Sequence, residues 1–424
     1  MSRLRHLVLA ASVAGASLAL VACGGGGGGG GGKTSLNLTI GQIVPLTGDL
    51  GPFGPPGQKA GQMALDQINA AIQQNGDDHT VKLETQDEQT DPQASVSAAR
   101  KLVGDGASCI AGAWASADSI PVARSVSIRE GVLQISPAST SDEITTLEDN
   151  GLMNRVVPPD SDQGPTLAAA VAKDLGGAQG KTVNVGARND SYGTGLADTF
   201  SSAWEKLGGT IGQKVIYDPN ATSYDSEAAQ ITSGNPDAFV IVDFPETFAK
   251  VGPALERTGK WDPSKAWATD GLDSSDVGKL GATVEGMRGT VPGVPSAKVS
   301  KDFDKLYAQS KPTSVKESAF DAQNFDAVIL CYLTAVAAGS TDGKAMADQI
   351  QAVSGPPGTK YTWEQLPQAV KALENGDDID YEGASGPINI NDAGDATAGV
   401  YDLYQFKNGT PVTIGEQPVV AASG

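Results

Sequence analysis

Two short loops carry side chains suited to holding a small charged ligand. Residues 113–118 (AWASAD) lead from an apolar run at Cys109 into a helical pattern, and residues 136–143 (SPASTSDE) lead from a second apolar run at Val132 into another. Hydroxyls and unpaired backbone amides at helix N-termini favour an anion such as a carboxylate. Ser116 and Thr140 are also ordinary helix-capping types, and Thr140 followed by Glu143 fits a capping box. The loops alone therefore leave both roles open.

Other chemistries find less support. The chain has two histidines, and His79, in the polar turn 76–80, has no serine placed beside it. With no Gly-x-Ser-x-Gly elbow either, hydrolysis finds no support and the chain reads as a non-enzyme. Residues 176–182 (GGAQGKT) mimic a phosphate loop but follow a helix and precede a strand, the reverse of the order that chemistry needs. The acidic stretches 377–382 and 389–395 lack the terminal glutamate of a calcium loop. No metal and no cofactor are expected. The 50 acidic against 30 basic residues, a net charge of -20, argue against a nucleic-acid partner.

Residues 1–22 read as an export signal, with Arg3 and Arg5 ahead of a short apolar run. Leu20-Val21-Ala22-Cys23 resembles a bacterial lipobox, in which the cysteine is lipidated. The nine glycines that follow make residues 23–35 a tether, spanning about 15–18 Å if flexible. No later apolar run is long enough to cross a bilayer. The expected location is extracytoplasmic, lipid-anchored to the bacterial cell membrane through Cys23.

From residue 36 the chain alternates strand and helix. Strands are expected at 38–44, 81–84, 109–113 and 132–135, with helices between them. The pattern restarts after Pro158-Pro159, with strands at 182–186, 214–217, 238–242 and 266–268. An apolar helix at 326–338 and strands at 387–390 and 400–406 follow. Such alternation implies two similar α/β lobes, each a doubly wound parallel sheet. Cys109 and Cys331 read as buried small hydrophobes, although an oxidising compartment also permits a bridge.

Signal, lipobox and paired lobes together resemble a periplasmic-type solute-binding lipoprotein of an ABC importer, most closely the branched-chain amino-acid (Leu/Ile/Val) binding family. The matching stretches are IGQIVPLTGDLGPFGPPGQKAGQMALDQINA (40–70), IAGAWASADSIPVA (110–123), LQISPASTSDEIT (133–145), DSDQGPTLAAAVA (160–172), NDSYGTGLADTF (189–200) and SGPININD (385–392). The resemblance implies the type I periplasmic-binding-protein fold with a three-crossing hinge near Pro158-Pro159, residues 291–293 and residues 385–387. Residues 36–158 plus 291–385 would form one lobe, and 159–290 plus 386–424 the other.

It further implies an α-carboxylate held by Ser116 and Thr140, with Ala138 and Ser139 adding backbone groups, and an α-ammonium held by Asp270. Tyr192 would close on the ligand, and Phe53 would be a pocket aromatic. Trp114 stands where the family has a smaller aliphatic residue, and Phe244 where it has paired tyrosines. Asp270 is one methylene shorter than the family's glutamate. These departures weaken the case for leucine, isoleucine or valine in particular. The implied activity is capture of an amino acid by a monomer that hands it to a membrane permease. A ligand-sensing lobe acting through a separate signalling partner is the rival, since one fold serves several roles.

Overall fold

The computed structural model describes residues 35–295 and 297–420. The signal segment, Cys23 and the glycine run lie outside the described residues. Five strands build the first sheet: β1 (Leu36–Val44), β2 (His79–Asp87), β3 (Cys109–Ala111), β4 (Leu133–Ser136) and β5 (Met153–Arg155), ordered β2-β1-β3-β4-β5. All its pairings are parallel. The second sheet begins with β6 (Thr182–Arg188), β7 (Thr210–Tyr217), β8 (Ala238–Val242), β9 (Ala266–Ala268) and β10 (Arg288–Gly293), ordered β7-β6-β8-β9-β10. The two sheets thus share one winding order, as their sequence patterns suggest.

A small sheet of β11 (Thr359–Thr362), β12 (Ile379–Gly383) and β13 (Gly386–Pro387) packs with the first lobe. The antiparallel hairpin β14 (Val400–Lys407) and β15 (Thr410–Pro418) then extends the second sheet beyond β10. Two of the expected lobe boundaries shift. Residues 291–293 still pair in the second sheet. Residues 386–396 stay with the first lobe, where β13 pairs with β12 and Ile388, Ile390 and Ala396 join its core. The third crossing therefore falls at residues 397–399, because the turn 389–395 folds back on itself through the Ile390–Ala396 bridge.

Local chemistry sets the elements that reach the cleft. The helix Gly54–Asn75 starts with prolines in its first turn, where a missing N–H costs nothing, and stops at Gly76 with φ +66°. Asp190 caps the helix Ser191–Lys206 by accepting from Gly193 N at 2.8 Å. Ser141, not Thr140, caps the short helix Asp142–Thr145, leaving the Thr140 side chain turned inward. The helix Asp321–Ala338 lies buried through the first lobe. A disulfide from Cys331 to Cys109 ties it to β3, settling the alternative that spacing left open. Among the described residues no helix is long and apolar enough to cross a membrane. His79 does not sit in the polar turn read at 76–80: it opens β2, buried, with Nδ1 2.8 Å from Tyr332 OH.

Candidate ligand-binding site

In open parallel sheets ligands meet the carboxyl ends of the strands, and there the two lobes face each other. Seven of the nine expected contact residues line one cavity between them: Phe53, Trp114, Ser116 and Ala138 from the first lobe, with Tyr192, Phe244 and Asp270 from the second. Leu50 and Phe320 complete the apolar wall. The cavity holds only about 20 Å³ of free space, roughly one water's worth, so a ligand enters when the lobes part.

The first lobe offers uncharged donors. Ser116 Oγ accepts from Thr140 N at 3.1 Å and Ser141 N at 3.2 Å, which leaves its own proton to donate. The indole N–H of Trp114 is buried with no hydrogen-bond partner among the described residues, whereas the buried Thr140 hydroxyl lies against the Asp160 carboxyl and does not line the cavity. Ala138 and Ser139 depart from expectation. Their amides donate to Ser136 Oγ, and Ser139 Oγ donates to the Trp114 carbonyl, so these groups brace the loop.

The second lobe offers charge. Asp270 is buried, and Oδ1 accepts from Gln163 Nε2 and from Tyr192 OH at 3.0 Å. Burial pushes its carboxyl up to about 6, although those two hydrogen bonds hold it lower than burial alone would. Tyr192 OH also lies 2.7 Å from Thr269 Oγ1 and accepts from Gly271 N, which fixes the ring's tip. Its ring stacks on Phe244 with centroids 5.0 Å apart. Phe244 thus brings an aromatic ring to this stack without a hydroxyl.

Besides Leu50, three contributors escaped the sequence reading. Asp160, just past the first crossing, is fully buried and faces the Thr140 hydroxyl, with no ion-pair partner among the described residues. Burial and the charges of Asp142 and Asp270 raise its carboxyl well above the ordinary range, opposed by the Thr140 hydroxyl. Gln163 positions Asp270, a role its place in the DSDQG stretch does not advertise. Phe320 meets Phe53 and Trp114 edge-on at 6.3 and 6.1 Å. Its φ of +69° is an unusual backbone for an aromatic residue, and such outliers gather at binding sites.

The nearby cations are already engaged. Arg155 pairs with Asp395 at 2.7 Å, and Arg188 with Asp49, Asp190 and Asp243. Asp270 and Asp160 are therefore acids without a cation of their own, opposite neutral donors. Two matching α/β lobes closed over such a cavity define a solute-binding protein that clamps a small ligand between them.

The chain belongs to the periplasmic binding protein family, whose profile matches residues 37–410. It is 26% identical over 379 residues to the Leu/Ile/Val-binding protein homolog 3 of Brucella melitensis, covering 88% of this chain and 92% of that one. Its fold matches the leucine binding protein LivK of Thermotoga maritima with a TM-score of 0.72 at 24% identity, covering 90% and 99% of the two chains. An ABC-transporter solute binding protein from R. palustris, solved with benzoate, matches with a TM-score of 0.70 at 17% identity over 91% and 98%. The chain is thus an extracytoplasmic solute-binding protein of the ABC-importer type, in a non-catalytic family.

Proposed function

We propose that the ligand is an α-amino acid or a similar small zwitterion, carried to an ABC permease by a monomer anchored through lipid on Cys23. The observation that carries this reading is Asp270, a buried acid without a cation, facing a cavity whose opposite wall holds the Ser116 hydroxyl. An ammonium would supply the missing charge, and a carboxylate would take the Ser116 proton. The Trp114 indole adds one further donor, with no partner among the described residues. Leu50, Phe53, Trp114, Phe244 and Phe320 support an apolar side chain. The similarity to a Leu/Ile/Val-binding homologue supports the amino-acid class.

A thermal-shift screen of the twenty amino acids, followed by calorimetry on the best and on its amide, tests the reading. A ligand at a hundred times its Kd adds about 2.7 kcal/mol of stability. The amide should bind at least about tenfold worse, since it loses charge-assisted hydrogen bonds. Equal binding of acid and amide would remove Ser116 from the site. No response to any amino acid would overturn the assignment.

A further inference from the structure

Arg188 ends β6 and is charged, yet its side chain is only 4% exposed. Its guanidinium meets three carboxylates: Asp190 at 2.5 Å, Asp49 at 3.1 Å and Asp243 at 3.6 Å. Asp190 and Asp243 belong to the second lobe, and Asp49 alone comes from the first. Asp49 also accepts from Thr247 Oγ1 at 2.8 Å, and its carbonyl accepts from Glu246 N at 3.3 Å. One first-lobe residue thus reaches three residues of the second. The loop that presents it depends on Gly48, with φ +87°, where an added Cβ would fall 1.9 Å from the Gln89 carbonyl oxygen. That loop also carries Leu50 and Phe53 into the ligand cavity.

On the second lobe, Arg188 lies against the Phe244 ring, 3.9 Å from its centroid. Phe244 stacks on Tyr192, and Tyr192 donates to Asp270. A continuous set of contacts therefore runs from the first-lobe loop to the acid in the cavity.

We infer that Asp49 and Arg188 form the latch of the clamp, a positioning pair that forms as the lobes close and holds the Phe244–Tyr192 stack in place behind Asp270. When the lobes part, Asp190 and Asp243 still neutralise Arg188, so the fold does not depend on the latch. Breaking a partly buried charge pair of this kind acts on dissociation more than on association.

The test uses the full chain, L-leucine as probe and stopped-flow tryptophan fluorescence, since Trp114 lines the cavity. Asp49→Asn should raise the dissociation rate about tenfold, the expected loss for one charge-assisted contact. Association should change less than about threefold, and the ligand-free unfolding midpoint should hold. The double variant Asp49→Asn, Arg188→Met should release the probe no faster than Arg188→Met alone. An unchanged dissociation rate for Asp49→Asn, or fully additive effects, would overturn the latch.

A second arm needs no ligand. With Asp49→Cys and Thr247→Cys combined, oxidation should cross-link the lobes and yield a more compact chain by small-angle scattering. Failure to cross-link would overturn the latch even if L-leucine does not bind. Cross-linking without any amino-acid binding would instead keep the latch and reject the amino-acid ligand.

Discussion

Asp270 makes ligand affinity depend on pH in a calculable way. With the carboxyl pushed up to about 6 in the closed, empty cleft, about 97% is ionised at pH 7.5 and about 9% at pH 5, by simple titration. If an ammonium binds only the ionised form, the apparent Kd scales with the inverse of that fraction. Affinity should therefore fall about tenfold between pH 7.5 and pH 5, about 1.4 kcal/mol. Near pH 6, binding should release about half a proton, because the ligand's charge draws the carboxyl into its ionised state. Calorimetry with L-leucine in two buffers of different ionisation enthalpy measures both quantities. Asp270→Asn preserves shape but removes the charge. It should lose more than tenfold in affinity at pH 7.5 and flatten the pH profile. Unchanged affinity in that variant, or a flat wild-type profile without proton release, would refute the reasoning.

Three further outcomes follow from particular contacts. A Cβ added at Gly57 would lie 2.3 Å from Trp114 Cζ2, so Gly57→Ala should displace the indole, shift tryptophan emission and change ligand affinity at least severalfold; an unaltered spectrum and Kd would contradict the packing. The Cys109–Cys331 bridge closes a loop of 222 residues, which chain entropy values at about 5 kcal/mol, so Cys331→Ala should lower Tm markedly in denaturation followed by circular dichroism. Burial pushes Asp243 to about 7, and Asp270 and Asp326 to about 6; the folded chain then holds more protons than the unfolded one between about pH 4 and pH 7, and stability falls as pH rises through that window. Tm should be several degrees higher at pH 5 than at pH 8, and calorimetric scans showing the opposite order would contradict these burials.

The sequence carried the lobes because strand–helix alternation is a local signal, with a spacing that survives without tertiary context. Chain order alone pointed to Ser116, in a loop at a strand's end, whereas Trp114, Phe53, Tyr192, Phe244 and Asp270 were legible only through the family resemblance. Ser139 and Ala138 look equivalent to their neighbours in sequence. Only the third dimension reveals that Ser136 Oγ takes their amides. Phe320 follows a polar stretch with no periodicity, and its left-handed backbone has no sequence marker. The Asp49–Arg188 pair joins residues 139 apart, a distance no local pattern spans. The third crossing, which the resemblance implied near residues 385–387, falls later, since Gly386-Pro387 pairs with β12.

The lobes divide the work by charge, and that division explains how closure is coupled to the ligand. The first lobe brings hydroxyl, indole and ring faces, which bury at little electrostatic cost. The second brings Asp270 and Asp160, whose burial without a cation is unfavourable when ionised. Closing an empty cleft at neutral pH therefore requires either desolvating those acids or protonating them, and on the proposed amino-acid reading the ligand's ammonium would remove the penalty. A ligand shifts the open–closed balance only by binding one state better, and here the difference lies in that charge. Acidification should substitute in part for the ligand, because protonated Asp270 and Asp160 no longer oppose closure. Small-angle scattering of the ligand-free chain should accordingly show a smaller radius of gyration at pH 5 than at pH 8, and Asp270→Asn should narrow the difference. A radius that grows on acidification would place the cost of closure elsewhere than in these two acids.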